Sequence, residues 1–467
     1  MRWFPRWCHA LILAGVAGFA TSGAQQSSAA QPLPVEIATV PSALINESTP
    51  VDWAFAFKLN AATSPTTGVL THCEFGGAPK SYRSSQSYLS ASKGASRLQD
   101  GHDLIGTTLS DPVGATFAKI YRSDLNFVVW NDQFYRHPNI AGCSESCGSP
   151  WGHSKGIIAW DAAGNGVVLQ VTTPSWPGSG TATAPRPDDG NTLGCIEDND
   201  VKASQHFFAL RLSGADTLAV LDGLSNASVV TDVANPQLAR LGGPREIAQR
   251  AASLGHKSPS TSVTDVLLST GVRLISKPSA LHVPPWQLLS ARLGGVSLRT
   301  ATWWAAPRLP TTEAGRTIIC WRSDLGSPGR VEVALTGAWN GKPIGLRGGP
   351  HDDANHAKIG VSIDGAHPYA IFSDLNQQGR LTGKCDSSQN GRGGMFFIVE
   401  DPELHDSISQ LIAGSTAGLA IPARQKTKRR LRDQRRAVWH LPTESTDQLS
   451  SVHSKIHDDD ISKWLRR

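Results

Sequence analysis

Apolar and aromatic residues recur at every second position in "VDWAFAFKL" (51–59), which predicts a β-strand. "FVVW" (127–130) predicts a second strand, ending at the turn-like "NDQ". "KGIIAW" and "VVLQVTT" flank "DAAGNG" and predict a hairpin, with Asn165-Gly166 as its turn signal. "SQHFFALRLSGADTLAVLDGL" (204–224) predicts a helix or a strand–helix mixture, and 238–262 a helix between two breaks. Further on, "GVSLRTATWWA" and "RTIICW" predict strands, as do "NHAKIGVSID" and "YAIFSD" on either side of "DGAHP".

The hairpin strand opens with His153 and Lys155, two positions apart, and the later strand with His356 and Lys358 at the same spacing. Such a pair lies on one face of a strand. Asp161 and Asp364 each stand six residues after their lysine, and a turn and an apolar strand follow both. The repetition points to a remote internal duplication. One such pair is ordinary chance; two in register suggest a divided site. Displacement at phosphorus needs a nucleophile, a proton for the departing oxygen, and cations at the non-bridging oxygens. One neutral histidine supplies the first, a protonated histidine the second, and two lysines the third without a metal ion. A protonated and a neutral histidine coexist most readily at acidic to near-neutral pH.

The chain has 467 residues with 45 Gly, 29 Pro, 14 Trp and only two Met, a composition of a loop-rich mixed fold. Arg2 and Arg6 before the 11-residue apolar run "ALILAGVAGFA" (10–20), with small Ser22 and Ala24 after it, predict a cleaved secretory leader over 1–24. The run is too short to span a bilayer, so no stable membrane insertion is expected. Cys73, Cys143, Cys147, Cys195, Cys320 and Cys385 then remain, an even number that favours disulfides over the rival reading of zinc; 15 pairings stay open. The net charge of +5 is uneven. The tail 422–467 holds 12 Lys/Arg against 6 Asp/Glu, and the leader adds two arginines, which leaves the body 25–421 at −3. The body therefore shows no general sign of a polyanion binder, and any phosphate contact has to come from a local cluster of cations. The basic stretch "PARQKTKRRLRDQRRAVW" reads as a solvated extension or as an electrostatic aid on an anionic partner.

Several segments, in order, resemble the deoxyribonuclease II family, a duplicated relative of the phospholipase D fold. They are "PVDWAFAFKL", "YRSDLNFVVWNDQ", "GHSKGIIAWD" with "VTTPSWP", "NTLGC", "NHAKIGVS", "IFSDLNQQ" and "RGGMFF", scattered over roughly 50–400. The resemblance implies metal-independent endonucleolytic cleavage of DNA, acid-favoured, leaving 3′-phosphate ends and needing no cofactor. It carries catalysis to His153, Lys155, His356 and Lys358. Asp374 and Asn376 match the family's Asp-x-Asn, Asn376 suited to a phosphate oxygen and Asp374 to orienting a histidine or lysine. Thr172 falls where the family often has a hydroxyl. Arg392, before Gly393-Gly394, is a candidate phosphate clamp. The second motif departs from the family in Ala357 and Asn355, and the glycine run is one short.

The expected architecture is thus mixed α/β, a phospholipase D-like pseudo-twofold duplication of two mixed sheets flanked by helices around one composite active site. The halves are read as 25–237 and 263–421, with a linker at 238–262 and a basic tail at 422–467. A lipid or other diester as substrate, and a non-catalytic binding relative, remain alternatives, as do monomer and homodimer. "HDDANH" (351–356) is a weak metal candidate, and His453-Ser454-Lys455 in the tail reads as a decoy without a strand around it.

Overall fold

The computed structural model describes residues 40–65, 86–102, 104–106, 109–134, 146–174, 202–364 and 367–420. The leader, Cys73, Cys143, Cys195 and the tail with His453 and Lys455 lie outside them. In chain order the first elements are β1 (Ala43–Leu44), β2 (Pro50–Val51), β3 (Trp53–Lys58), β4 (Tyr88–Ser92), β5 (Ala95–Asp100), α1 (Pro112–Tyr121), β6 (Asn126–Asn131), β7 (Lys155–Trp160), β8 (Gly166–Val171), β9 (Gln205–Leu212) and α2 (Gly214–Ala227). Then come β10 (Ala239–Arg240), α3 (Arg245–Ala252), β11 (Thr264–Leu267), β12 (Arg273–Lys277), α4 (Pro285–Arg292), β13 (Leu298–Ala301) and β14 (Val331–Val333). The last are β15 (Thr336–Trp339), β16 (Lys342–Gly345), β17 (Ile359–Ser362), β18 (Tyr369–Ser373), β19 (Gly394–Glu400) and α5 (Pro402–Leu411).

Among the described residues, one sheet has the order β10-β6-β7-β8-β9-β3-β4-β5 and a second the order β11-β12-β19-β18-β17-β13-β14. The second is mixed, with β13 and β14 parallel. The first is antiparallel throughout, which corrects the expectation of two mixed sheets. Parallel neighbours need a long crossover, and the sequential strands β6 to β9 instead fold back on one another. The two orders match element by element. β6-β7-β8-β9-β3-β4 answers to β13-β17-β18-β19-β12-β11. The chain runs β3, α1, β6, β7, β8, β9, α2 in one and β12, α4, β13, β17, β18, β19, α5 in the other.

Period-two alternation fixes the packing. Trp53, Phe55 and Phe57 of β3 enter a central core, while Ala54 and Ala56 face Val113 and Phe117 of α1. The small alanines leave room for that helix. In the central core Phe208 of β9 stacks on Phe372 of β18 at 4.5 Å, and Phe55 meets Phe372 at 4.4 Å, so the two sheets share one interior. Trp286 and Leu289 of α4 cover the far face of the second sheet over Ile275, Ile371 and Phe396. Both α2 and α5 pack in the central core, α2 against β12 and β19 and α5 against β5, β17 and β18.

Two local expectations change. The β7–β8 hairpin forms, but its special conformation sits at Gly164 (φ +90), while Gly166 already pairs with Trp160. "RTIICW" (316–321) is irregular rather than a strand. Its Ile319 is 67% exposed, and the segment is tied instead by the Cys320–Cys385 disulfide and by the amides of Ile319 and Cys320 on the Leu381 carbonyl. Cys147 is also disulfide-bonded.

Candidate active site

Both His-x-Lys pairs lie at the entrance to a strand: Lys155 begins β7, and His356 and Lys358 precede β17. Each is held by the other sheet. The amide of His153 donates to the carbonyl of Gly393, directly before β19, at 2.8 Å. The amide of His356 donates to the carbonyl of Ser204, directly before β9, at 2.7 Å. The amide of Lys358 donates to Nδ1 of His206 on β9 at 3.1 Å. The four side chains are buried, His153 and His356 at 9% and 8% exposure. They sense one another electrostatically, since Lys358 acts on His153, and Lys155 and His153 act on His356.

His153 Nδ1 lies 2.7 Å from the carbonyl oxygen of Asp374. A carbonyl only accepts, so Nδ1 carries the proton and Nε2 is the nitrogen left for chemistry. Asp374 therefore orients the histidine with its main chain. Its carboxylate accepts from the Met395 amide at 2.8 Å and from Gln170 Nε2 at 3.0 Å, and also bonds Ser154. Burial nevertheless pushes this carboxyl up to about 7. Ser154, the middle residue of the first motif, in turn accepts from Trp130 Nε1 at 2.8 Å. Thr172 occupies the place in the first half that Asp374 holds in the second: its hydroxyl accepts from the His206 amide at 2.9 Å and donates to Gln205 at 2.8 Å. Ala357, the middle residue of the second motif, sits in the central core.

Lys155 Nζ donates to Asp132 Oδ1 at 2.6 Å, and Arg392 Nη2 to Asp132 Oδ2 at 2.6 Å. Burial opposes ionisation of Asp132, but Lys155, Arg392 and His153 together hold its carboxyl well below the usual range. Arg392 also donates to the carbonyls of Trp151 and Gly152. The Arg392 guanidinium is thus buried and held against the chain just before His153, sharing Asp132 with Lys155. Gly393 likewise serves packing, for a Cβ there would meet the Ala227 carbonyl oxygen at 2.3 Å. Asn376 donates to Gln378 Oε1 at 3.0 Å, while its buried Oδ1 has no partner among the described residues. Trp303 meets the His356 ring edge-on, with centroids 4.2 Å apart. Asp352 of "HDDANH" turns to Lys202 at 3.5 Å. Among the described residues no group of three or more His, Cys, Asp or Glu is gathered for a metal ion.

Both histidines are driven well below their usual basicity. For His153 burial leads; Asp132 opposes it, and Lys155, Arg392 and Lys358 add to it. For His356 burial is joined by the cations Lys358, Lys155 and Lys58 and by any charge on His153, all in the same direction. Sequence reasoning missed Asp132, Gln170 and His206. Each is a polar residue inside an otherwise apolar strand or at its end, in "VVWND", "VVLQV" and "QHFFAL". His206 and Gln170 form a buried chain with Asp374. His206 Nδ1 accepts from Lys358, so its Nε2 donates to Gln170 Oε1 (3.3 Å), and Gln170 donates to Asp374.

A family model described as Deoxyribonuclease II matches residues 44–225. The match takes in the first sheet from Leu44 through α2, with His153 and Lys155; His356 and Lys358 lie beyond it. No curated protein matches the chain.

Proposed function

We propose that the chain, which matches the Deoxyribonuclease II family model over residues 44–225, is a member of that family, an exported, metal-independent endonuclease with one composite site. The observation that carries this reading is the reciprocal anchoring of the two His-x-Lys pairs, His153 on Gly393 and His356 on Ser204. The matched strand orders support a phospholipase D-like duplication as its origin. The Cys320–Cys385 disulfide supports export to an oxidising compartment.

The electrostatics divide the labour. His356 is surrounded by cations and stays neutral, which suits attack on phosphorus. His153 has Asp132 to favour its imidazolium and a fixed Nδ1–H, which suits proton donation from Nε2. In the first step a His356 ring nitrogen bonds phosphorus, the bond to the 5′ oxygen breaks, and His153 gives that oxygen its proton. In the second, neutral His153 takes a proton from water, the water oxygen bonds phosphorus, the P–N bond breaks, and a 3′-phosphate leaves. Lys155 and Lys358 supply the positive charge beside the non-bridging oxygens. Turnover needs His153 protonated against burial, so activity is acid-favoured.

Plasmid nicking in chelator across pH 4 to 8 tests the reading, with acid-quenched mass spectrometry to locate the phosphoryl group. Cleavage that survives in both His153→Ala and His356→Ala would sink it. Phosphorylation of His153 rather than His356 would reverse the roles. Cleavage of lipid diesters but not DNA would reassign the substrate.

A further inference from the structure

Two more lysines are fully buried and donate to main-chain carbonyls: Lys58, the last residue of β3, and Lys277, the last residue of β12. These are matching strands of the two sheets, and both lysines are 0% exposed. Lys58 Nζ donates to the carbonyl of Ala203 at 2.6 Å and to that of Leu59 at 3.4 Å. Lys277 Nζ donates to the carbonyls of Asn390 and Arg392 at 2.8 Å each and to Pro278 at 3.3 Å. Ala203 directly precedes Ser204, whose carbonyl anchors His356, and Arg392 directly precedes Gly393, whose carbonyl anchors His153.

Resting on the reading of the site given above, we propose that Lys58 and Lys277 are positioning residues, each bracing the strand lead-in that holds the opposite half's histidine. A lysine in this place is costly to bury and donates only. It is suited to drawing together main-chain carbonyls that no other strand reaches. Leu or Met there would fill the volume and leave those carbonyls unbonded. The brace acts through one main-chain anchor, Lys58 through Ser204 on His356 and Lys277 through Gly393 on His153; Lys58 also acts on His356 directly by its charge, so the selective effect of Lys277→Met on His153 carries the test. Neither lysine contacts the reacting phosphate in this scheme.

Lys58→Met and Lys277→Met test it, with DNA cleavage and histidine ring NMR on folded protein. We expect kcat to fall about 10- to 100-fold, the scale of a misplacement near 1 Å, with KM within about twofold because the substrate-binding charges remain. Lys277→Met should shift the ring resonances of His153 and spare those of His356, and Lys58→Met the reverse. A merely structural lysine would move both rings or neither. Wild-type kcat in both variants, or ring shifts without that selectivity, would overturn the proposal. Failure of His153→Ala and His356→Ala to lose activity would strike the function and not the brace, since the ring shifts do not depend on turnover. If the Met variants do not fold, 15N NMR of lysine side chains in the unmutated protein decides. Two slowly exchanging ammonium groups support the brace, and solvent-fast exchange at every lysine refutes it.

Discussion

His153 donates its main-chain amide to Gly393 at 2.8 Å, across 240 residues of sequence and from one sheet to the other. The contact makes the position of a first-half imidazole depend on a second-half turn. His356 on Ser204 repeats it in the opposite sense. Neither half has a complete site, and each histidine is located by the sheet it does not belong to.

His153→Ala and His356→Ala should each lower DNA cleavage by at least about 10²-fold, the lower end of what a positioned acid or base contributes. Thermal unfolding should show the proteins still folded, so that the loss of activity is not a loss of structure. Unequal residual rates are expected with an activated leaving group in place of DNA. That substrate needs no protonation, so it should restore the first step in His153→Ala as a burst of leaving group, with slow turnover because hydrolysis of the P–N bond still lacks its base, and leave His356→Ala inactive.

Asp132→Asn removes the carboxylate shared by Lys155 and Arg392 and leaves two buried cations side by side. We expect a loss of about 3–5 kcal/mol in a chemical-denaturation measurement, the range for breaking a buried ion pair from one side. Asp132 also pulls His153 toward its protonated form. Its loss should therefore move the acid-dependent limb of the kcat profile to lower pH. An unmoved limb would separate Asp132 from the proton donor.

How much of this was legible beforehand follows from what alternation and spacing can carry. The strands at β3, β6, β7, β8, β17 and β18 were visible because Trp, Phe, Ile and Val repeat at the period of a pleated sheet. The two histidine–lysine pairs were visible because both have the same spacing at the entrance to a strand. The pairing of Arg392 with Asp132, 260 residues away, could not be read, because a sequence shows a cation but not its partner. His206, Lys58 and Lys277 were passed over for a related reason. A polar residue in an apolar strand has meaning only once the opposing main chain is in place.

The pH dependence of stability should run against that of activity. His153, His206 and His356 all have folded-state basicity well below the unfolded value near 6.5. Below pH 6.5 the unfolded chain then binds more protons at these three groups, while Asp374, raised to about 7, offsets one such share, so stability still falls as pH drops from there toward the folded histidine values. Each histidine contributes a slope of up to about 1.4 kcal/mol per pH unit. His206→Gln, which keeps an acceptor for Lys358, should remove one such share from the slope between pH 6.5 and 4.5. A bound oligonucleotide should flatten the slope further by offering phosphate charge to the imidazoliums. An unfolding free energy that is level over this range would contradict the buried neutral histidines.

Gly393→Ala should damage the site from a position that bears no chemistry. A Cβ there meets the carbonyl oxygen of Ala227 at 2.3 Å and its Cα at 2.6 Å. Both atoms are main chain at the end of α2, where Ser228 closes the helix in the left-handed region (φ 58), so they do not swing aside as a flexible side chain would. The turn before β19 must move instead, and the carbonyl that holds His153 moves with it. Overpacking of this kind costs about 1–3 kcal/mol. A displacement near 1 Å at the reacting group costs about 10²-fold in rate. We therefore expect kcat to fall far more than stability does, with DNA affinity nearly intact in a binding measurement. Gly418→Ala is the control, since a Cβ at Gly418 meets nothing within 4 Å and should change neither quantity. Full activity in folded Gly393→Ala protein would mean that the anchor on His153 can shift freely, and the coupling between the sheets would lose its catalytic meaning.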